Sequence, residues 1–475
     1  MSNIELENVD SLDLNDPLKE ERSDSLASIK IEEIKEDQLD YGEDYQEKTC
    51  SMKEGSIQAG AFSMVGMCVG TGAFSLGLRC TQVGCFWFII FLFIGGIASY
   101  WTLSILIEAG KKVKAEEYST AVKQILGKPF GYILDIIMVL FQLIIIIQMD
   151  VIVYSLIGRV YYENFANKEN ISKDFETFEK EVWDLNYIKY PIVFGFTLLI
   201  SPLCILKDIT KMRFVSLFGI CALSYTILVV VIQSPWFFKN YLDNYKEDDP
   251  ETHANWFDIS KSFESDVSFF AVISAIYSVF TCHNSAFPIY KTLKFNTPRR
   301  IKNLFKRAIG MLLVINLFLS ICGFMTTPLK PKSLIIFRVS IFDNDIFMTI
   351  AKVSLALALY LAIPANYNSF RASFFMLVFC SDKIDIVRNI IVTYSVLFLC
   401  AFISCIMKDI LTYLNIIGGF FCSTLSFLIP GILTVLSSGE KITSMKSVFT
   451  LIICGIMTLI GFIATIQTII DMFSS

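Results

Sequence analysis

FTCHNSAFPIYKTL, residues 280–293, closes an apolar run that begins near residue 267 and sets Thr281, Cys282, His283, Asn284 and Ser285 side by side. Hydrocarbon offers such groups no partner, and irregular backbone at membrane depth is tolerated only around a cavity or inside protein. The run, ended by Pro288, therefore predicts an interrupted helix. A second interruption lies far upstream, where Gly66 precedes the stretch GTGAFSLGLRCTQVG, residues 70–84, with Gly70, Thr71, Gly72 and Gly77 inside it. Glycine weakens a helix interior and lets a ligand approach backbone. Gly66 and Gly70 also form a GxxxG pair suited to close helix packing in lipid, but the second broken span favours a binding role.

Around these two stretches the chain reads as a membrane protein. Of its 475 residues, 54% are apolar and 18% charged, and the mean hydropathy is +0.58. Eleven apolar stretches reach spanning length, at residues 56–78, 83–107, 132–157, 188–206, 214–233, 267–289, 308–328, 346–370, 386–407, 411–437 and 447–470. Interruptions in the first and sixth of eleven spans suggest two inverted five-helix repeats, about 55–233 and 267–437, plus an extra helix, about 447–470. A ligand would bind at their shared midplane. The expected fold is an all-α polytopic membrane protein.

Residues 1–54 hold six Lys or Arg against seventeen Asp or Glu and contain no apolar run resembling a cleavable signal. They read as an acidic disordered tail, with the transmembrane domain spanning 55–470. Lys291, Lys294, Arg299, Arg300, Lys302, Lys306 and Arg307 follow the sixth span without an acidic neighbour, and basic residues also follow the second and fourth spans. The positive-inside rule places these loops and the N-terminus in the cytoplasm, with the C-terminus outside. On the other face, Asn170-Ile171-Ser172 is a glycosylation sequon. The cysteines mostly sit in or beside apolar spans and read as small hydrophobes.

The motifs resemble those of the amino acid/auxin permease family, within it the neutral amino acid transporters of animal cells, over roughly residues 55–470. Cys282, His283, Pro288, Ile289, Tyr290 and Leu293 keep the family's spacing in span 6. Gly70, Thr71 and Gly72 resemble its glycine-serine-glycine stretch, and Pro364 and Arg371 its proline and arginine in span 8. The resemblance implies a LeuT-type fold of five plus five helices and an extra one, and secondary transport of amino acids. In that architecture the half-helix beginning at Gly70, Thr71 and Gly72 meets a substrate carboxylate with its free amides and dipole. Carbonyls from Phe280, Thr281, Cys282 and His283 would accept the amino group. Gly66, Pro288 and Pro364 are the expected structural breaks.

Proton-coupling candidates are Asp150, an intramembrane carboxylate on span 3, and His283, whose alternative role is to cap the broken helix. Asp135 is expected to be solvated near the cytoplasmic boundary, Lys352 to snorkel to the outer interface, and Arg371 to anchor at the cytoplasm. Sodium-coupled relatives carry an asparagine where Gly66 stands and a threonine where Ala362 stands, so the expected coupling is to protons or to no ion.

No HExxH, GxSxG, P-loop or metal-ligand spacing occurs, so the chain is expected not to be an enzyme and to need no cofactor or metal. Its expected partners are an amino acid, a proton and the lipid bilayer, with no nucleic acid. The membrane is a plasma membrane or an endolysosomal or vacuolar one. The alternative reading is an amino acid sensor in which residues 1–54 engage a cytoplasmic partner.

Overall fold

The computed structural model describes residues 55–68, 70–165, 189–205, 213–243, 266–293, 297–326, 332–338, 345–379, 385–406, 409–439 and 443–474. The acidic tail and the loop segment holding Asn170 lie outside the described residues. Everything regular within them is helical. Helices α1 (Ile57–Cys68) and α2 (Thr71–Val83) are the two halves of the first span. Gly84 alone joins α2 to α3 (Cys85–Lys112), at a φ of 80° that only glycine adopts without strain. A short helix α4 (Tyr118–Ile125) leads into α5 (Lys128–Phe165). Then come α6 (Lys189–Ile205), α7 (Arg213–Asp243) and the halves of the sixth span, α8 (Asp266–Phe280) and α9 (His283–Thr292). The chain continues through α10 (Pro298–Thr326), α11 (Ile346–Phe379), α12 (Ile386–Ile406), α13 (Ile410–Ser437) and α14 (Met445–Ser474).

Among the described residues, nine helices are long and apolar enough to cross a membrane when α8 and α9 are taken together, and α6 is a shorter apolar one. The halves α1 and α2 complete a set that matches all eleven expected stretches. Large apolar side chains such as Ile97, Leu199, Phe347, Ile391 and Phe449 face outward along the bundle, which suits a hydrocarbon surround. The protein is a multi-pass integral membrane protein.

The interrupted helices lie inside the bundle, where α2 packs on α8 and α10, and α1 on α10. Small residues permit that proximity: a Cβ on Gly77 would lie 2.7 Å from the Cα of Gly323. Only glycine on both sides lets α2 and α10 touch backbone to backbone. Along α13, Gly418 similarly abuts the Ser274 carbonyl of α8, and Gly419 lies against the Gly461 carbonyl of α14. The apolar part of α13 is 72% buried against 33% for α14, so α13 is an inner helix and α14 a peripheral one.

Several expectations about individual residues need correction. Gly66, Pro288 and Pro364 do not break their helices: they lie within α1, α9 and α11, and the interruptions fall between α1 and α2 and at residues 281–282. A proline deletes one N–H bond of the ladder, and the surrounding protein holds the helix through it. Asp135 is buried and pairs with Lys123 of α4 at 2.8 Å. The short amphipathic α4 folds back over α5 and withdraws the carboxylate from water. Lys352 does not snorkel, since the end of α5 brings Glu163 within 2.5 Å of its Nζ. Arg371 is buried and donates to the carbonyls of Cys204 and Ile205 at the end of α6, at 3.0 and 3.3 Å. A guanidinium satisfies several acceptors at once, so it closes a helix end instead of reaching solvent.

Candidate functional site

The two interruptions face each other. At the end of α1 the Cys68 thiol lies 3.6 Å from the Thr281 carbonyl, in the two-residue gap between α8 and α9. Gly70 precedes α2 in extended backbone, with φ −131° and ψ −154°, and no side chain caps that helix. Its carbonyl accepts the Ala73 amide at 3.2 Å, while the first amides of a helix have no partner within it. A Cβ placed on Gly70 would meet nothing nearer than the Cys68 carbonyl at 4.0 Å. Gly72 differs: its Cβ would lie 3.1 Å from Ser278 Oγ and 3.2 Å from Val279 Cγ1 of α8. Gly70 is therefore the open glycine at the break, and Gly72 is the packing one.

On the other half of the site, partners hold the loose carbonyls of the sixth span. Ser99 of α3 donates to the Phe280 carbonyl at 2.8 Å, and the Cys282 carbonyl accepts from both the amide and the hydroxyl of Ser285. Thr281 donates to the Tyr277 carbonyl at 2.7 Å and contacts Ser426 Oγ at 3.0 Å. Among the described residues the Thr281 carbonyl carries only the weak thiol contact and so retains the most accepting capacity. His283 opens α9, is fully buried, and sets Nε2 2.9 Å from Thr102 Oγ1. The Thr102 hydroxyl lies 3.0 Å from the Ala98 carbonyl. When its proton goes there, its oxygen accepts from Nε2–H, and Nδ1 has no hydrogen-bond partner among the described residues.

Opposite the gap, α13 departs from regular helix and runs as π-helix over Ile417–Cys422 and Thr424–Leu428. Such widened turns leave carbonyls off the usual ladder. Tyr118 of α4 donates to the Leu425 carbonyl there at 2.7 Å, and burial pushes its phenol well above the usual range, so it remains a donor. In the last turns of α2, the buried Arg79 donates to Asn415 of α13 at 2.5 Å and Gln82 at 3.0 Å. Toward the same end, the buried turn Ile335–Phe337 sits under α2 and α10, where Ile335 Cδ1 would lie 3.4 Å from a Cβ on Gly323. Arg338 fastens it, donating to Gln233 at 2.5 Å and stacking over Phe237 at 4.0 Å. Burial lowers its guanidinium to about 10, with Asp345 acting in the opposite direction, so it is still a cation at neutral pH.

The residues expected to form the site thus divide. Gly70, Thr71, Gly72, Phe280, Thr281, Cys282 and His283 lie at the two facing breaks. Asp150 lies elsewhere, in electrostatic range of Tyr360, Tyr413, Cys204 and Cys400, which belong to α11, α13, α6 and α12. It has no hydrogen bond or ion pair among the described residues. Sequence reasoning missed Ser99, Thr102, Tyr118, Arg79 and Ser426. Arg79 carried a visible signal, a lone arginine near the end of an apolar span. The small hydroxyls carried none, because serine and threonine in a helix usually satisfy themselves on the preceding turn.

The fold has a counterpart among solved proteins. The crystal structure of MhsT in complex with L-phenylalanine superposes with a TM-score of 0.57 over 88% of this chain and 100% of that one, at 14% sequence identity. That likeness identifies a LeuT-type arrangement of helices. A family model described as transmembrane amino acid transporter protein matches residues 53–471, which include both broken spans and every helix of the bundle. The chain belongs to the transmembrane amino acid transporter family.

Proposed function

We propose that the protein is a secondary transporter of neutral amino acids that works by alternating access about the two facing breaks, coupled to protons or to no ion. The observation that carries this reading is the junction of Cys68 with the Thr281 carbonyl beside the uncapped start of α2. A zwitterion presents a carboxylate and an ammonium a few ångströms apart. The N-terminus of α2 suits the first, and the Thr281 carbonyl suits the second. Gly70, Gly72, Phe280, Thr281 and Cys282 bring no charged side chain, and His283 is occupied by Thr102. A substrate with a charged side chain would find no counter-ion among them, which supports the neutral class.

The surroundings of Gly66 support the coupling. A Cβ there would meet only Ile220, at 3.4 Å, and Ala362 supplies no side-chain oxygen. Sodium needs several hard oxygen ligands in place of its hydration shell, whereas a proton needs one titratable group, for which Asp150 and His283 are the candidates. Orientation follows from charge. Salt bridges Lys302–Glu108 and Lys291–Glu116, both 2.9 Å, gather the basic ends of α3, α9 and α10 at one end of the bundle. That end is assigned to the cytoplasm.

Uptake of labelled neutral amino acids into proteoliposomes, with a sodium or a pH gradient imposed, tests the proposal. Saturable uptake that sodium leaves unchanged is expected. Strong stimulation by sodium alone refutes the coupling, and absence of saturable uptake of any amino acid refutes the transport reading.

A further inference from the structure

Asn316 of α10 is fully buried, and among the described residues neither its Oδ1 nor its Nδ2 has a hydrogen-bond partner. A buried carboxamide left in that state has lost its bonds to water without replacing them, so its presence in an apolar span calls for an explanation. Its height in the bundle supplies one. Helices α1 and α2 run parallel to α10, because Gly60 abuts Leu304 at one end and Gly77 abuts Gly323 at the other. Counting back seven residues from the Gly77–Gly323 contact reaches Gly70 on one chain segment and Asn316 on the other. Seven residues are two helical turns, about 10 Å, and return a side chain to nearly the same face. Asn316 therefore shares the face of α10 that Gly323 presents to α2, level with the open glycine at the break.

We propose that Asn316 is a substrate contact: Nδ2 donates to the α-carboxylate held at the start of α2, and Oδ1 accepts from the α-ammonium. This rests on the amino acid transport reading above. The chemistry of the amide favours a zwitterion over a bare cation. A cation would engage Oδ1 and leave the two Nδ2 protons unpaired, whereas a main-chain zwitterion supplies both an acceptor and a donor. The carboxamide is closed off in this conformation and meets its partner when the helices part to admit substrate. Because the contact is to the main chain of the substrate, it acts on every amino acid carried, whatever its side chain.

The test compares wild type with Asn316→Leu and Asn316→Ala in proteoliposomes, using labelled uptake of several neutral amino acids, and measures the thermal stability of each purified protein without substrate. Asn316→Leu, similar in shape and apolar, is expected to raise KM at least tenfold for all substrates alike while leaving the substrate-free protein as stable as wild type or more so. Asn316→Ala supplies the KM comparison should the leucine variant fail to fold. An unchanged KM overturns the proposal, as does loss of a sodium response with affinity intact, which would make the side chain an ion ligand. Wild-type protein that carries no amino acid would instead refute the transport reading, so the two failures are distinguishable.

Discussion

The ion pair between Glu163 at the end of α5 and Lys352 near the start of α11 is expected to be asymmetric, and the asymmetry can be measured. The Lys352 side chain is 1% exposed and that of Glu163 31% exposed, with Nζ–Oε contacts of 2.5 and 2.7 Å. The other charges in range of the ammonium oppose one another, Asp345 favouring it and Arg159 disfavouring it. Asp345 is itself engaged, accepting from Gln233 and from the Met348 amide that begins α11. Glu163→Gln therefore strands a cation in a dry site, a loss of about 3–5 kcal/mol by analogy with broken buried pairs. Lys352→Met leaves a carboxylate that already reaches solvent and can rehydrate, so its cost falls near the surface-pair range of about 1 kcal/mol or less. The double variant Glu163→Gln/Lys352→Met removes the stranded charge and should recover most of the difference. Apparent melting of the purified protein in detergent, read as a double-mutant cycle, ranks the variants. Lys352→Met proving at least as damaging as Glu163→Gln would refute the reasoning.

Two further perturbations test the geometry of the break and of its support. Gly70→Ala places a methyl in open space at a backbone conformation that any residue adopts, so the protein should fold normally while KM for amino acid uptake rises at least tenfold. Gly72→Val instead pushes on Ser278 and Val279, and should lower both folded yield and affinity. Equal effects of the two on yield would contradict the distinction. Gly77→Ala drives a methyl to 2.7 Å from the Gly323 backbone. The helices must separate, at a cost of about 1–3 kcal/mol, visible as a lower melting temperature that Gly323→Ala should reproduce.

The sequence by itself determined the solvent, the all-helical fold class and which two spans are interrupted, though not the residues at which they break. Hydrocarbon requires long apolar helices and admits irregular backbone only where protein surrounds it, so glycines at residues 66–77 and five consecutive polar residues at 281–285 were informative without any partner being known. Composition and spacing are local properties, and the family motifs at these breaks are local as well. The charge partners were a different matter. Asp135, Lys352 and Arg371 each look like an interfacial residue when only depth along the helix is considered. Each is buried because another element, α4, α5 or the end of α6, arrives from elsewhere in the chain with a complementary group.

Tertiary structure likewise decided which glycine is open. Gly70 and Gly72 are equivalent in a motif, yet one faces space and the other faces α8, because Gly70 lies in extended backbone ahead of α2 while Gly72 lies in its first turn, packed on Ser278 and Val279. The π-helical stretch of α13 and the ring of Ser99, Thr102, Tyr118 and Ser426 around the sixth-span gap depend on contacts between residues distant in sequence. Asn316 was visible as one amide in an apolar span. Its meaning required the contact of Gly77 with Gly323, which fixes the register of α2 against α10 and sets the amide level with the break. A sequence specifies which groups a helix carries and at what depth, while the register between helices, set by where their backbones touch, decides which of those groups meet.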